Sequence, residues 1–260
     1  MKKTLIALAV VASTAVSGSA IADSWITGGT GGTVEMGGTV AIVADSNSPW
    51  AVKTGAVVNN LDANIVAGGT VATVALGTDI SILSIRSDQV FKGRAGIAPQ
   101  IDYSGAVDID SFSKGYAPLT LEVKNSKDEK IGTAKTSIFA VALVSNVYSS
   151  GGTGYRNSMY APSAGYSFWG GVAKSKDLIA PYNRESFSFV TEAAANYTEQ
   201  GVSATPGTGA GFFSNQNTRY SGFYASGIEK SKTIVITLDE PATSSAISWK
   251  ASLPVTVSYA

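Results

Sequence analysis

The sequence predicts an all-β protein, on three observations. Thr, Val, Ile, Ser and Tyr recur in short runs in which apolar and polar residues alternate, the period of half-buried strands. Twenty-eight glycines and 8 prolines break those runs at short intervals. Charge is low, at 15%, and apolar residues make up 44% of the 260-residue chain. Many short strands separated by turn signals read as a sandwich or barrel.

Taken in order, the first element is not structural. Met1-Lys2-Lys3 is a short basic region, Thr4 to Val16 is an uncharged apolar run, and Ala20-Ile21-Ala22 fits a small-residue cleavage site. This reads as a secretory signal peptide over 1–22, with the mature chain starting at Asp23. The run is too short to span a bilayer comfortably, and a lipoprotein would need a cysteine at the cleavage site. The mature length allows one large domain or two small ones.

Next comes Thr27 to Gly32, TGGTGG, too bare to pack in a core. It leads into an extended row in which Thr30, Gly32, Val34, Met36, Gly38, Val40 and Ile42 share one side. A glycine inside such a row marks the close approach of another backbone or a bulky rim. Further strands are expected over Trp50–Val58, Ile65–Leu76, Ile80–Ile85, Gln100–Ile109, Ala117–Lys124, Ile131–Val144, Arg219–Ile228 and Thr233–Leu238. The breakers between them are Gly68-Gly69, Gly93 to Pro99, Asn125 to Glu129 and Asp239-Glu240-Pro241. One helix is expected over Ser188–Gln200, where three alanines favour it and Gly201 can cap it. The last strand, Ala246–Ser258, carries the row Leu253, Val255, Val257 and Tyr259. The stretch 149–221 differs from the rest, with a dozen aromatics among Gly, Ser and Asn, and reads as a long insertion.

Composition excludes several function classes. With no His and no Cys there is no Ser-His-Asp triad, no thiol nucleophile, no ordinary zinc site and no disulfide. Nineteen Lys and Arg balance 19 Asp and Glu, thinly spread, so no basic patch points to nucleic acid. No cofactor or metal site is expected. Asp108 and Asp110, two apart on one strand face, are a carboxylate pair that could do acid–base work, but a solvated strand edge accounts for them better. Asn196-Tyr197-Thr198 matches a glycosylation acceptor by chance.

The two end strands point to a sheet that lacks a member. An extended peptide from elsewhere would complete it with main-chain hydrogen bonds and alternate side chains. Burying Val34, Met36, Val40 and Ile42 would contribute roughly 6 to 12 kcal/mol as an upper limit, against a net domain stability of about 5 to 15 kcal/mol. An ordinary first strand of a closed sandwich would account for the same row.

Several ordered blocks resemble the FaeG-type fimbrial subunits and adhesins of the chaperone–usher pathway of enterotoxigenic Escherichia coli. They are MKKTLIALAV, Trp25-Ile26-Thr27-Gly28 with Gly32 to Gly38, and Trp50-Ala51-Val52-Lys53-Thr54-Gly55, with Val52 where the family has a second aromatic. Ile97 to Ile101, Val123-Lys124-Asn125, Ile131-Gly132, Tyr224 to Ile228, Trp249 and the Leu253–Tyr259 row complete the likeness. The stretch from about 149 to 219 departs from it.

The resemblance implies an incomplete immunoglobulin-like sandwich completed by donor-strand complementation, with the long inserted loop and helix region. It implies a donor-strand extension at 23–43 and a pilin domain at 44–260 with its insertion at about 149–221. The implied partners are a periplasmic chaperone that fills the groove beside the C-terminal strand, an outer-membrane usher, and sister subunits joined head to tail. The implied destination is a cell-surface fimbrium, reached through the periplasm. The implied role is structural and adhesive, toward host glycans, and not enzymatic. Tyr155, Arg156, Tyr160, Tyr166 and Trp169 are the glycan-binding candidates, since aromatic faces with a few fixed polar groups suit sugars; a small core of the insertion would use the same residues. The alternatives are a non-adhesive minor subunit, an outer-membrane barrel and, more remotely, a secreted carboxylate hydrolase.

Overall fold

The longest strand, Lys130–Tyr148, organises the rest of the molecule. Its residues Ile138 to Ser145, IFAVALVS, are all buried and do not alternate. The reason is that both faces are covered: Ile138, Ala140, Ala142 and Val144 enter the main core, while Phe139, Val141 and Leu143 enter a second one. The computed structural model describes residues 48–149, 151, 154–180, 187–202, 206–243 and 245–260. The expected signal sequence at 1–22 and the expected donor row, Thr30, Gly32, Val34, Met36, Gly38, Val40 and Ile42, lie outside them. The described residues belong to the compact unit 44–260.

The strands are β1 (Trp50–Thr54), β2 (Val71–Ala75), β3 (Ile80–Ser87), β4 (Phe91–Lys92), β5 (Pro99–Asp102) and β6 (Tyr116–Lys124). They continue with β7 (Lys130–Tyr148), β8 (Tyr155–Met159), β9 (Gly207–Gly209), β10 (Thr218–Ile228), β11 (Thr233–Leu238), β12 (Lys250–Ala251) and β13 (Thr256–Tyr259). Among the described residues one helix, α1 (Ser188–Ala193), runs into a 3-10 turn at Ala194–Asn196. The main sheet has the order β1-β3-β10-β7-β11-β2, with β6 and β8 also paired to β7, and every pair but β8–β9 is antiparallel. β13 pairs with β5 in a second, two-stranded sheet. The chain is therefore all-β, as its composition predicts.

Where strands fall short of expectation, the backbone gives the cause. β5 stops at Asp102 because Ser104 and Gly105 both take positive φ, 52° and 76°, and turn the chain. β2 starts only after the turn at Gly68, whose φ is 82°. The helix ends early because Tyr197 goes extended and sets its ring edge-on against Phe223, 5.7 Å away. The last strand divides into two pieces, one pairing with β6 and the other with β5. Strand β8, YRNSM, has no apolar alternation and was not expected from sequence.

Three apolar clusters hold these elements. The main core brings Leu83 and Ile85 of β3, Leu119 of β6, Tyr224 of β10 and Phe168 together, with Leu253, Val255, Val257 and Tyr259 packed half-buried against it. On the opposite face of β7 and β10, α1 lays Phe189, Val190 and Ala193 over Phe139 and Phe223. A third cluster gathers Val74, Val123, Ala134, Ile234 and Ile236, with Trp249 at its margin. Inside the main core, the Tyr103 hydroxyl bonds the Tyr224 hydroxyl at 2.7 Å and the Ser226 hydroxyl at 2.9 Å. Burial raises the Tyr103 pKa to about 12 and pushes Tyr224 up as well.

Candidate functional site

The C-terminal strand sits at an edge of the structure. Among the described residues its β13 piece pairs only with β5 and its β12 piece only with β6. β5 is itself occupied on its far side, where the Ile101 amide donates to the Trp169 carbonyl and the Phe168 amide donates to the Pro99 carbonyl.

The direction of each backbone group follows from one hydrogen-bonded pair. Ala98 and Ala260 exchange both bonds, at 3.1 and 3.0 Å. In an antiparallel ladder such pairs recur every second residue. Ser258 and Thr256, opposite Gln100 and Asp102, therefore turn their amides and carbonyls toward β5. Tyr259 lies opposite Pro99, which has no N–H to give. It follows that Tyr259, Val257, Val255 and Leu253 turn their backbone groups to the other edge. The same four residues turn their side chains toward the core, since exposure alternates from residue 251 to residue 260. Pro254 falls in the other set, so its missing N–H leaves the outer edge uninterrupted.

Facing this edge is the segment that follows β1. The Gly55 amide donates to the Ile82 carbonyl at 2.9 Å, and there β1's pairing with β3 ends. The chain then runs on without a strand partner among the described residues. Between it and the C-terminal strand lies a cavity of about 610 Å³. Thr54 to Val58 line one side and Trp249 to Leu253 with Val255 line the other. Its floor is apolar: Ile80, Ile82, Leu119, Leu121, Ala134, Ile228 and Ile234. From Trp249 to Tyr259 an extended chain covers about 35 Å at ~3.3 Å per residue. This is a strand-shaped groove with a core-like floor and, along one wall, an edge that has no strand partner among the described residues.

Two further cavities continue it past Trp249, of about 510 and 400 Å³. All three share Trp249 as a lining residue. Their walls turn polar, with Asn59, Asn60, Asp62 and Asn64 facing Thr243, Ser245 and Ser248. Lys250, beside Trp249, is held outward by an ion pair with Asp128 at 2.7 Å. That contact lowers the Asp128 pKa.

The aromatic candidates of the insertion do not converge on one site. β8 sets Tyr155 and Arg156 opposite Asn146 and Ser145 of β7, with Tyr155 48% exposed. Arg156 is mostly buried and paired with Glu199. Tyr160 is half-buried, and Tyr166 packs on Phe212 with ring centres 4.2 Å apart. Trp169 stands elsewhere, beside β5, where it lines a cleft of about 320 Å³ with Asp102, Tyr103, Val107 and Ile109. The Lys174 ammonium lies 5.2 Å from the centre of the Trp169 ring and also pairs with Asp110.

The carboxylate pair sits in a turn and not on a strand face. Asp108 accepts from the Asp110 amide and the Ser111 hydroxyl, and the Ser111 bond leads in holding its pKa below the usual range. No group of three or more acidic side chains among the described residues could hold a metal ion.

The full chain, residues 1–260, matches the family described as fimbrial, major and minor subunit. The chain belongs to this family. Relatives from Escherichia coli include K88 fimbrial protein AC, 28% identical over 289 aligned residues, and K88 fimbrial protein AB, 30% identical over 305. F41 fimbrial protein is 29% identical over 294. Each alignment covers all of both chains. Membership makes this protein a fimbrial subunit, placed with other fimbrial subunits in a surface fimbrium. It points to a non-enzymatic role and sets aside the outer-membrane barrel and the hydrolase. Among the described residues no helix is long and apolar enough to cross a membrane.

The groove floor is the part of the site that sequence reasoning missed. Leu119, Leu121, Ile228 and Ile234 read in sequence as ordinary inward positions of their strands, and they are; they form a floor because among the described residues no strand lies above them. A local signal existed at Gly55, where a Cβ would meet the Ser81 carbonyl oxygen at 1.8 Å.

Proposed function

We propose that this fimbrial subunit polymerises by strand donation. The extension at 23–43 of one copy fills the groove of the next, with Val34, Met36, Gly38, Val40 and Ile42 over the apolar floor. Main-chain bonds then form along Leu253, Val255, Val257 and Tyr259. The observation that carries this is the 610 Å³ apolar groove beside an edge strand whose outward backbone groups belong to its core-facing residues. Before assembly a periplasmic chaperone occupies the same groove, and an outer-membrane usher is where the exchange takes place. An open groove of this kind is an edge-strand hazard, which gives the chaperone a physical role. Export begins with the signal sequence at 1–22.

Adhesion to host glycans is the second part of the proposal. What supports it is the exposed Tyr155 and the Trp169 cleft, with its aromatic wall and Asp102 carboxylate. The first test is to delete 23–43 from the mature chain in cells carrying the assembly system, and to collect heat-released fimbriae. Loss of fimbriae with subunit retained in the periplasm is the expected result; undiminished fimbriae would overturn the proposal. A glycan array probed with whole fimbriae separates an adhesive from a purely structural subunit.

A further inference from the structure

We propose that the Trp249 end of the groove is a body-to-body contact surface, one that takes residues 44–48 and the adjoining face of a second copy of this chain. The inference rests on strand donation and adds a contact beyond the donated strand. Val57, Val58, Ile247 and Trp249 surround the 510 Å³ hollow that continues the groove. Val57 is 86% exposed, Val58 42% and Ile247 40%. Large aliphatic side chains grouped around one hollow mark an interaction surface, unlike single exposed ones.

The length of the chain says which occupant fits. The donor's apolar row ends at Ile42 and its own β1 begins at Trp50. The seven residues between reach at most about 25 Å. Whichever end of the groove receives Ile42 must therefore lie close to the next subunit's body. At the other end, Ala98 and Ala260 close the ladder, and none of the exposed large apolar residues falls between Leu253 and Tyr259. The Trp249 end carries three of them. Its polar walls, Asn59, Asn60 and Ser248, match the polar run Asp45-Ser46-Asn47-Ser48 that follows Ile42.

The chain has no cysteine, so an introduced pair reports proximity cleanly. Fimbriae of Ser46→Cys with Ile247→Cys, released by heat and run on a non-reducing denaturing gel, should form a ladder of covalent multimers. The ladder should exceed that of Ser46→Cys with Ser258→Cys by tenfold or more. A ladder from the Ser258 pair instead, or fimbriae at wild-type yield with no ladder from either pair, would overturn the proposal. As a second readout, Ile247→Lys, at a residue that does not line the groove itself, should lower fimbrial yield at least tenfold while the chaperone-bound subunit is made normally; unchanged yield counts against the contact. Deleting 23–43 keeps the two ideas apart. If fimbriae survive that deletion, strand donation itself is wrong. If they vanish while the Ile247 pair gives no ladder, only the contact is wrong.

Discussion

Replacing Val255 with Asp tests the groove at its most exposed assumption. Val255 lines the groove wall and packs half-buried against the main core. In the empty subunit the new carboxylate stays in water, and the cost is about 1 kcal/mol, roughly half of a fully buried valine. In the filled groove the carboxylate must lose its water, at several kcal/mol per ion. The filled state therefore loses about 4 to 6 kcal/mol, or on the order of a thousandfold or more in occupancy. Thr256→Asp, one residue on and facing solvent, meets Asp102 directly opposite and should cost up to about 1 kcal/mol, equally in the empty and the filled groove, so occupancy is unchanged. The assay is the temperature at which isolated fimbriae dissociate to monomers, with heat-released yield beside it. Val255→Asp fimbriae should be scarce and dissociate early, and Thr256→Asp fimbriae should match wild type. If the two variants behave alike, Val255 does not face a filled groove and the reasoning fails.

Other expectations follow from single contacts. Gly55→Ala should lower stability by more than about 1 to 3 kcal/mol, because its Cβ would meet the Ser81 carbonyl oxygen, whereas Gly77→Ala, with open space, should be neutral or slightly stabilising in the same thermal melts. Tyr103→Phe should cost about 1 to 3 kcal/mol in a denaturant titration, since it removes a partner from the buried Tyr224 and Ser226 hydroxyls. The raised Tyr103 pKa has a pH signature. The folded value of about 12 exceeds the ordinary 10.0, so the stabilisation is whole below about pH 10 and is lost as pH rises toward 12. Melting temperature should therefore hold up to about pH 10 and fall above it, and Tyr103→Phe should fall less steeply.

How much of this was legible in the sequence depends on how many neighbours each strand has. β6 and β11 each have a face at the surface and read clearly by alternation. β7 does not alternate between Ile138 and Ser145, because α1 covers its second face, and α1 comes from a segment 50 residues further on. β8 reads poorly because Tyr155 to Ser158 pair edge-on to β7 through backbone, with no apolar face to announce them. The row Leu253, Val255, Val257 and Tyr259 was visible as a period, but a period cannot say whether a strand has one neighbour or two. That distinction needed the Ala98–Ala260 hydrogen bonds and the identity of the groove floor. The aromatics of 149–221 look alike in sequence and fall in different places, because β8 carries Tyr155 to β7 while Trp169 returns to β5.

Grafting the donor strand onto its own subunit tests strand donation most directly. Residues 23–43 are removed from the front of the mature chain and attached after Ala260 through a short flexible linker, and melting is recorded without chaperone. Burial of the donor row at roughly 6 to 12 kcal/mol as an upper limit predicts a rise in Tm of about 10 °C or more over the ungrafted protein. The grafted chain should also be a soluble monomer. If the ungrafted mature chain is already a stable monomer and the graft leaves its melting unchanged, the groove is not a strand acceptor, and the account of how these subunits join is wrong.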